Sequence, residues 1–344
     1  MKKLANTLYV TNPDRYLSLD GENVVVISDN KALGRVPLHN LEAIITFGYT
    51  GVSPALMGAC VKRNIALTFM SGYGNFLAHV TGEINGNVLL RKRQYLVSED
   101  EEESLRISKS FIIGKLYNTI SVLKRTLRDH PLSVNKAEIE KVIYYLKTAV
   151  SSAEEAESAD SLRGIEGEAA LKYFSVLDEL ILQQKDDFYF KNRVRRPPTD
   201  PFNALLSLFY SILAYSCASA LSAAGLDPYV GFFHTDRPGR ISLALDLMEE
   251  LRPVMADKFV LSLVNLKMVN KKSFLKKENG AVLLNEDSKK EVLSAWQQRK
   301  KAVINHPFLN EKVEWGVLPI VQAQLLARYL RGDLDSYPPF FWRQ

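Results

Sequence analysis

Between residues 201 and 226 the chain carries no charged side chain. A run of that length either crosses a bilayer or forms the central helix of a large core. Asn203, Ser207, Ser211, Ser216, Ser219 and Ser222 interrupt it, and no second such run exists in the sequence. A buried central helix without a membrane is therefore expected. Its ends are marked: Asp200 can act as N-cap, Pro201 suits the first helical position, and Gly225 suits the C-terminal stop. With 344 residues, of which 47% are hydrophobic and 24% charged, the chain can bury such a helix in an ordinary globular core.

The segments before and after this helix differ in period. Residues 7–11, 15–19, 23–28, 43–46, 65–70 and 76–80 read as short strands, with turn signals at Asn12-Pro13-Asp14 and Asp20-Gly21. Ser53-Pro54 opens a short helix to about Arg63. From about Val88 onward the repeat is helical, as in Leu105, Ile112, Leu116, Ile120, Leu123 and Leu127. Further helices are expected at 161–185, 201–224, 241–252, 289–304 and 318–331. The fold class is thus α+β, with a β-rich N-terminal domain over 1–85 and a larger all-α C-terminal domain over 86–344. Residues 98–103 are acidic and open the first long helix, where carboxylates suit the helix dipole. Residues 270–288 read as a mobile loop.

The net charge of +5 is mild evidence for an acidic partner. It is unevenly spread: residues 267–301 hold ten Lys or Arg against four acids. From charge patterning alone, a solvated helical face with a flexible loop is the plainer reading of that run. Arg193, Arg195 and Arg196 precede the rigid Pro197-Pro198 pair, which suits either phosphate contacts or docking of the buried helix. Cys60 and Cys217 lie far apart in apolar surroundings, so neither a disulfide nor a four-cysteine zinc site is expected. Lys2 and Lys3 are followed by no apolar run, so a signal peptide is not expected and a cytoplasmic location fits.

Among the five histidines, His234 stands out. It follows a turn-rich stretch just after the charge-free helix, and the next helix presents Asp246 and Glu249 on one face. Those carboxylates sit among leucines, so they should have a cation partner. Glu166, between Gly164 and Gly167, is a third candidate, because glycines let a ligand approach closely. A carboxylate resting on a helix start is the plainer reading of Glu166. Two carboxylates and an imidazole suit Mg²⁺ or Mn²⁺. Nothing in the spacing itself brings the three residues together.

Four stretches occur in order: Arg163-Gly164-Ile165-Glu166-Gly167; Arg193-Val194-Arg195-Arg196-Pro197-Pro198-Thr199-Asp200-Pro201 running on to Ser207; Gly225 through Gly231-Phe232-Phe233-His234; and Leu245-Asp246-Leu247-Met248-Glu249. Together they resemble the CRISPR-associated integrase family "Cas one", and the resemblance covers nearly the whole chain. Val36-Pro37-Leu38-His39-Asn40-Leu41-Glu42 and Tyr337-Pro338-Pro339-Phe340 also fit, and Asn6-Thr7-Leu8-Tyr9-Val10-Thr11 is similar to the type I-C branch. The resemblance implies a homodimer formed through the β domains and a metal-dependent DNA endonuclease and integrase. It implies metal ligands at Glu166, His234 and Glu249, with Asp246 as fallback ligand or supporting partner. Many relatives carry Asp where this chain has Glu249. The implied cofactor is Mg²⁺ or Mn²⁺. The implied partners are double-stranded DNA and the small ferredoxin-like CRISPR protein "Cas two", with Arg193, Arg195, Arg196 and the 267–301 stretch along the DNA backbone. The implied reaction is attack of a prespacer 3′-hydroxyl on a phosphodiester of the CRISPR repeat. A stand-alone metal-dependent DNA nuclease in repair or degradation is the alternative, and a non-catalytic DNA-binding scaffold a third.

Overall fold

The computed structural model describes residues 6–63, 65–72, 76–80 and 87–343. The expected domain boundary near residue 85 lies outside the described residues. A strand-rich N-terminal part precedes a helical C-terminal part, as the change of period implies.

The N-terminal part is built from β1 (Thr7–Val10), β2 (Tyr16–Asp20), β3 (Asn23–Ser28), β4 (Lys31–Pro37), β5 (Ala43–Phe47), β6 (Gly51–Val52), α1 (Pro54–Lys62), β7 (Ala66–Met70) and β8 (Phe76–Val80). They form two four-stranded sheets, ordered β1-β5-β7-β8 and β4-β3-β2-β6. In the first sheet β1, β5 and β7 are parallel and β8 is antiparallel. Side chains alternate across a strand, and this sheet uses both faces. Ile44 and Leu67 join Leu17, Val24, Leu38, Leu56 and Cys60 in a small core, whereas Ile45, Phe47 and Met70 face the large helical core. Two strands here escape the sequence reading: β4, a solvent-exposed edge strand interrupted by Gly34 that lacks apolar alternation, and β6, which is only two residues long.

The C-terminal part comprises α2 (Val88–Glu99), α3 (Glu101–Asp129), α4 (Lys136–Glu155), α5 (Ala159–Ser175), α6 (Pro201–Ala224), α7 (Ser242–Arg252), α8 (Lys258–Asn265), β9 (Phe274–Lys276), β10 (Val282–Leu284), α9 (Glu286–Lys300), β11 (Val303–Asn305), β12 (Lys312–Glu314) and α10 (Leu318–Leu330). The charge-free run forms α6, capped by the Asp200 carboxylate on the Asn203 N–H and closed by Gly225 at φ +86°. Its length and composition would allow it to cross a membrane, but 61% of its most apolar window is buried in this fold. Asp100 caps α3, and Glu101, Glu102 and Glu103 fill its first turn. The 270–288 segment is not an irregular loop. It is an antiparallel hairpin of β9 and β10 entered through a capping box at Asn270 and Ser273. Helix α5 stops at Ser175, ten residues earlier than expected. Between α7 and α8 a π-helical turn spans Pro253–Asp257, because Pro253 lacks the N–H that an α-ladder needs.

A candidate carboxylate and imidazole centre

Three helices and one loop bring the candidate residues together. Glu166 lies in the second turn of α5, where Gly164 and Gly167 have open space: a Cβ added to either would meet nothing within 4 Å. Glu249 lies on α7 and is 5% exposed. Lys115, from the middle of α3, places its ammonium between them. It pairs with Glu166 Oε1 and lies 2.7 Å from Glu249 Oε2. Arg252, one turn after Glu249, adds a second cation 3.0 Å from the same Oε2. Burial opposes ionisation of Glu249, but Arg252, Lys115 and His234 outweigh it and hold the carboxyl at about 2. Glu249 Oε2 is buried without a hydrogen bond of good geometry, so the two neighbouring cations balance its charge rather than a directional donor.

His234 is set by Asp246, which is fully buried. Its carboxylate accepts the backbone N–H groups of Phe232 at 2.7 Å, Phe233 at 3.0 Å and His234 at 2.9 Å. It also lies 2.6 Å from His234 Nδ1. A carboxylate already accepting three donors is the acceptor here too, so Nδ1 carries a proton and Nε2 is the nitrogen left for a ligand. The loop can wrap the carboxylate this tightly only because residue 231 is glycine. A Cβ there would stand 2.8 Å from Ser242 Cβ and 3.0 Å from Asp246 Oδ2. Gln94 of α2 clamps the preceding turn through Asp227 and Val230. Arg163 of α5 reaches the Phe233 carbonyl.

Among the described residues, no group of three or more His, Cys, Asp or Glu side chains is close enough to form a finished metal shell. The donor set nevertheless fits a divalent ion: two carboxylates already share one cation, and an imidazole nitrogen is free beside them. Glu166 and Glu249 thus share the Lys115 ammonium, while His234, held by Asp246, lies near enough to Glu249 to help keep it ionised. Lys115 and Arg252 escaped the sequence reading. Lys115 left a signal, since it occupies the apolar phase of α3 between Ile112 and Thr119. Arg252 left a weaker one, three residues after Glu249.

The three arginines separate. Arg193 turns inward, donating to Asn203 Oδ1, Ser207 Oγ and the Val194 carbonyl. It stacks on one side of Tyr210, which Arg252 also contacts, with ring-centroid distances of 5.2 and 5.3 Å. Tyr210 donates to buried Asp257. Arg193 therefore docks the start of α6, while Arg195 and Arg196 are exposed. The 267–301 stretch is also partly internal: Lys289 donates to the Gly72 carbonyl, and Lys300 to Thr7 Oγ1, tying α9 to the strand-rich part. Both cysteines are buried and unpaired, and burial pushes their thiols up.

The family profile described as "CRISPR associated protein Cas1" matches residues 8–298. The chain is 51% identical over 350 aligned positions to "CRISPR-associated endonuclease Cas1 2" of Rhodospirillum rubrum, covering 100% of both chains. Two solved structures share the fold. A "casposase bound to integration product" superposes with a TM-score of 0.83 at 22% identity, covering 98% of this chain and 94% of that one. A chain of a "Cas6-RT-Cas1--Cas2 complex" superposes at 0.82 with 20% identity, covering 100% of this chain and 37% of that longer one.

Proposed function

The chain belongs to the Cas1 family, and from that premise we propose that it is the endonuclease and integrase of CRISPR adaptation, joining prespacer 3′-hydroxyl ends to the CRISPR repeat in the cytoplasm. One observation carries the reading: carboxylates from two helices converge on a single cation beside an imidazole whose far nitrogen is tied to a buried carboxylate. Glu166, His234 and Glu249 would hold Mg²⁺ or Mn²⁺. Such an ion, when bound, eases deprotonation of a hydroxyl and offsets charge on a phosphoryl oxygen.

This chain's own residues prepare that chemistry. Arg252 and Lys115 keep Glu249 ionised, and Asp246 fixes the tautomer and aim of His234. The open surface around Gly164 and Gly167 leaves room for a DNA strand to approach Glu166. In the transfer, the attacking 3′-oxygen loses its proton and forms a new P–O bond. The bond between that phosphorus, which stays on the 5′ end of the repeat, and the 3′-oxygen of the flanking nucleotide breaks, and the leaving 3′-oxygen takes up a proton. With water as nucleophile the same centre nicks DNA.

Exposed Arg195 and Arg196 would contact phosphates. The fold likeness to a chain of a Cas1–Cas2 complex supports a small "Cas two" partner. A homodimer through the strand-rich part is supported by exposed Tyr16, Leu33, Tyr49 and Leu77 there. Affiliation with the type I-C branch rests on the opening residues 6–11.

Strand transfer tests the proposal. Purified protein, with and without its small partner, is mixed with a short duplex bearing free 3′-hydroxyls, a repeat-carrying plasmid and Mn²⁺ or Mg²⁺. Metal-dependent joining that disappears in His234→Ala is the expected result. Cutting without joining would favour the stand-alone nuclease.

A further inference from the structure

A second polar cluster lies away from the carboxylates. Arg125 is ten residues beyond Lys115 on α3, about 15 Å along the helix axis. Its guanidinium lies 5.6 Å from the ring centre of Trp342, and the Lys258 ammonium lies 4.5 Å over the same ring. Trp342 packs against Trp315 with centroids 6.3 Å apart, and the Arg299 guanidinium sits 4.8 Å over Trp315. Both tryptophans are buried, and the Trp342 backbone N–H donates to the buried Asn118 Oδ1. The platform is therefore rigid, and three cations from α3, α8 and α9 are held together on it.

Their charge is not balanced internally. Asp129 is the one acid engaged here among the described residues, and it is shared by Arg125 at 3.1 Å and exposed Arg128 at 2.9 Å. Lys258 and Arg299 form no ion pair among the described residues. Burial, then the nearness of Arg125 and Arg299, depresses the Lys258 ammonium to about 8. Burial and Arg125 lower Arg299 as well. Cation–π contact offsets part of this repulsion, but the arrangement still favours an anion with several acceptor oxygens. Guanidinium forks and a point-charge ammonium on a fixed aromatic floor suit a phosphate.

We propose that Arg125, Lys258 and Arg299, set over the Trp315 and Trp342 pair, bind a phosphodiester of the DNA at a site separate from the carboxylate and imidazole centre. The inference rests on the reading that this chain processes DNA. It is tested by fluorescence anisotropy on a short labelled duplex across a range of KCl concentrations, with EDTA present so that no strand is cut. Removing both charges in Lys258→Met with Arg299→Met should weaken binding at least about tenfold and reduce the slope of log K against log salt by about 2. Lys258→Arg should retain wild-type affinity. If the double variant does not melt cooperatively, Arg299→Gln alone serves, with an expected slope change of about 1. A merely structural cluster would leave the slope unmoved.

Unchanged affinity and slope in a variant of a protein that still joins strands overturns this inference and leaves the function intact. A wild-type protein that neither binds duplex nor processes it overturns both. Inorganic phosphate that raises the melting temperature of wild type but not of the double variant, with DNA affinity equal in the two, would assign the cluster to a small anion and overturn the DNA assignment.

Discussion

Asp246 accepts four donors and faces no solvent, so its replacement acts through His234. Asp246→Asn should lower Mn²⁺ affinity by about 10- to 100-fold, the usual cost of losing a partner behind a ligand. Calorimetric titration of the folded variant measures this, and unchanged affinity would remove Asp246 from that role. Lys115 makes the complementary prediction. Lys115→Met leaves two carboxylates facing each other, and breaking a buried ion pair costs about 3–5 kcal/mol. The metal-free protein should melt earlier than wild type, and Mn²⁺ should raise its melting temperature by more. Equal melting and equal response to metal would mean that Lys115 does not balance the centre. Glu166, His234, Asp246 and Glu249 could be named from short ordered motifs. Lys115 could not, because its contact with Glu166 spans 51 residues and no local pattern encodes it. Arg193 illustrates the reverse difficulty: three arginines within four residues look alike in sequence, and only the position of Asn203 and Ser207 separates the inward one.

Elements were legible where burial imposed a period. Helix α6 was readable to its caps, since Asp200, Pro201 and Gly225 each do a local job. The hairpin at 270–288 was obscured by its lysines, and β4 by an exposed edge. The π-helical turn at 253–257 left only Pro253 as a sign. The loop from Gly231 to His234 has the sharpest local requirement. Gly231→Ala forces a Cβ against Ser242 and the Asp246 carboxylate, a steric conflict worth about 1–3 kcal/mol. A shift of the imidazole by an ångström can cost about 100-fold in rate. Strand transfer by Gly231→Ala should therefore fall on that order in a protein that still melts cooperatively. Gly164→Ala, where a Cβ meets open space, should by comparison leave stability nearly unchanged.

At the scale of the whole molecule, the strand-rich part and the helical part share the sheet β1-β5-β7-β8, whose two faces serve the two cores. Lys300 and Lys289 fasten the same junction. Sequence periodicity indicated both parts but not this joint use of one sheet, because strands buried on both faces lose their alternation. The proposed phosphate site adds a pH dependence to the global affinity for DNA. Lys258 is depressed from near 10.5 to about 8 in the free protein. A bound phosphate raises it again, so binding takes up a proton above pH 8. Affinity should hold steady below that pH and fall as the pH rises above it. Lys258→Arg, which stays charged, should flatten the fall, and parallel curves for the two proteins would contradict the contact.

The ammonium shared by Glu166 and Glu249 also bears on how the fold would stand without the proposed ion. Many small metal sites unravel when stripped, since their ligands repel one another. Here a covalently attached counter-ion is always at hand, so assembly of the fold does not wait on metal supply. A chelator should silence strand transfer and lower the wild-type melting temperature only by the small amount that metal binding adds, with the fold intact, and activity should return on adding metal back without any refolding step.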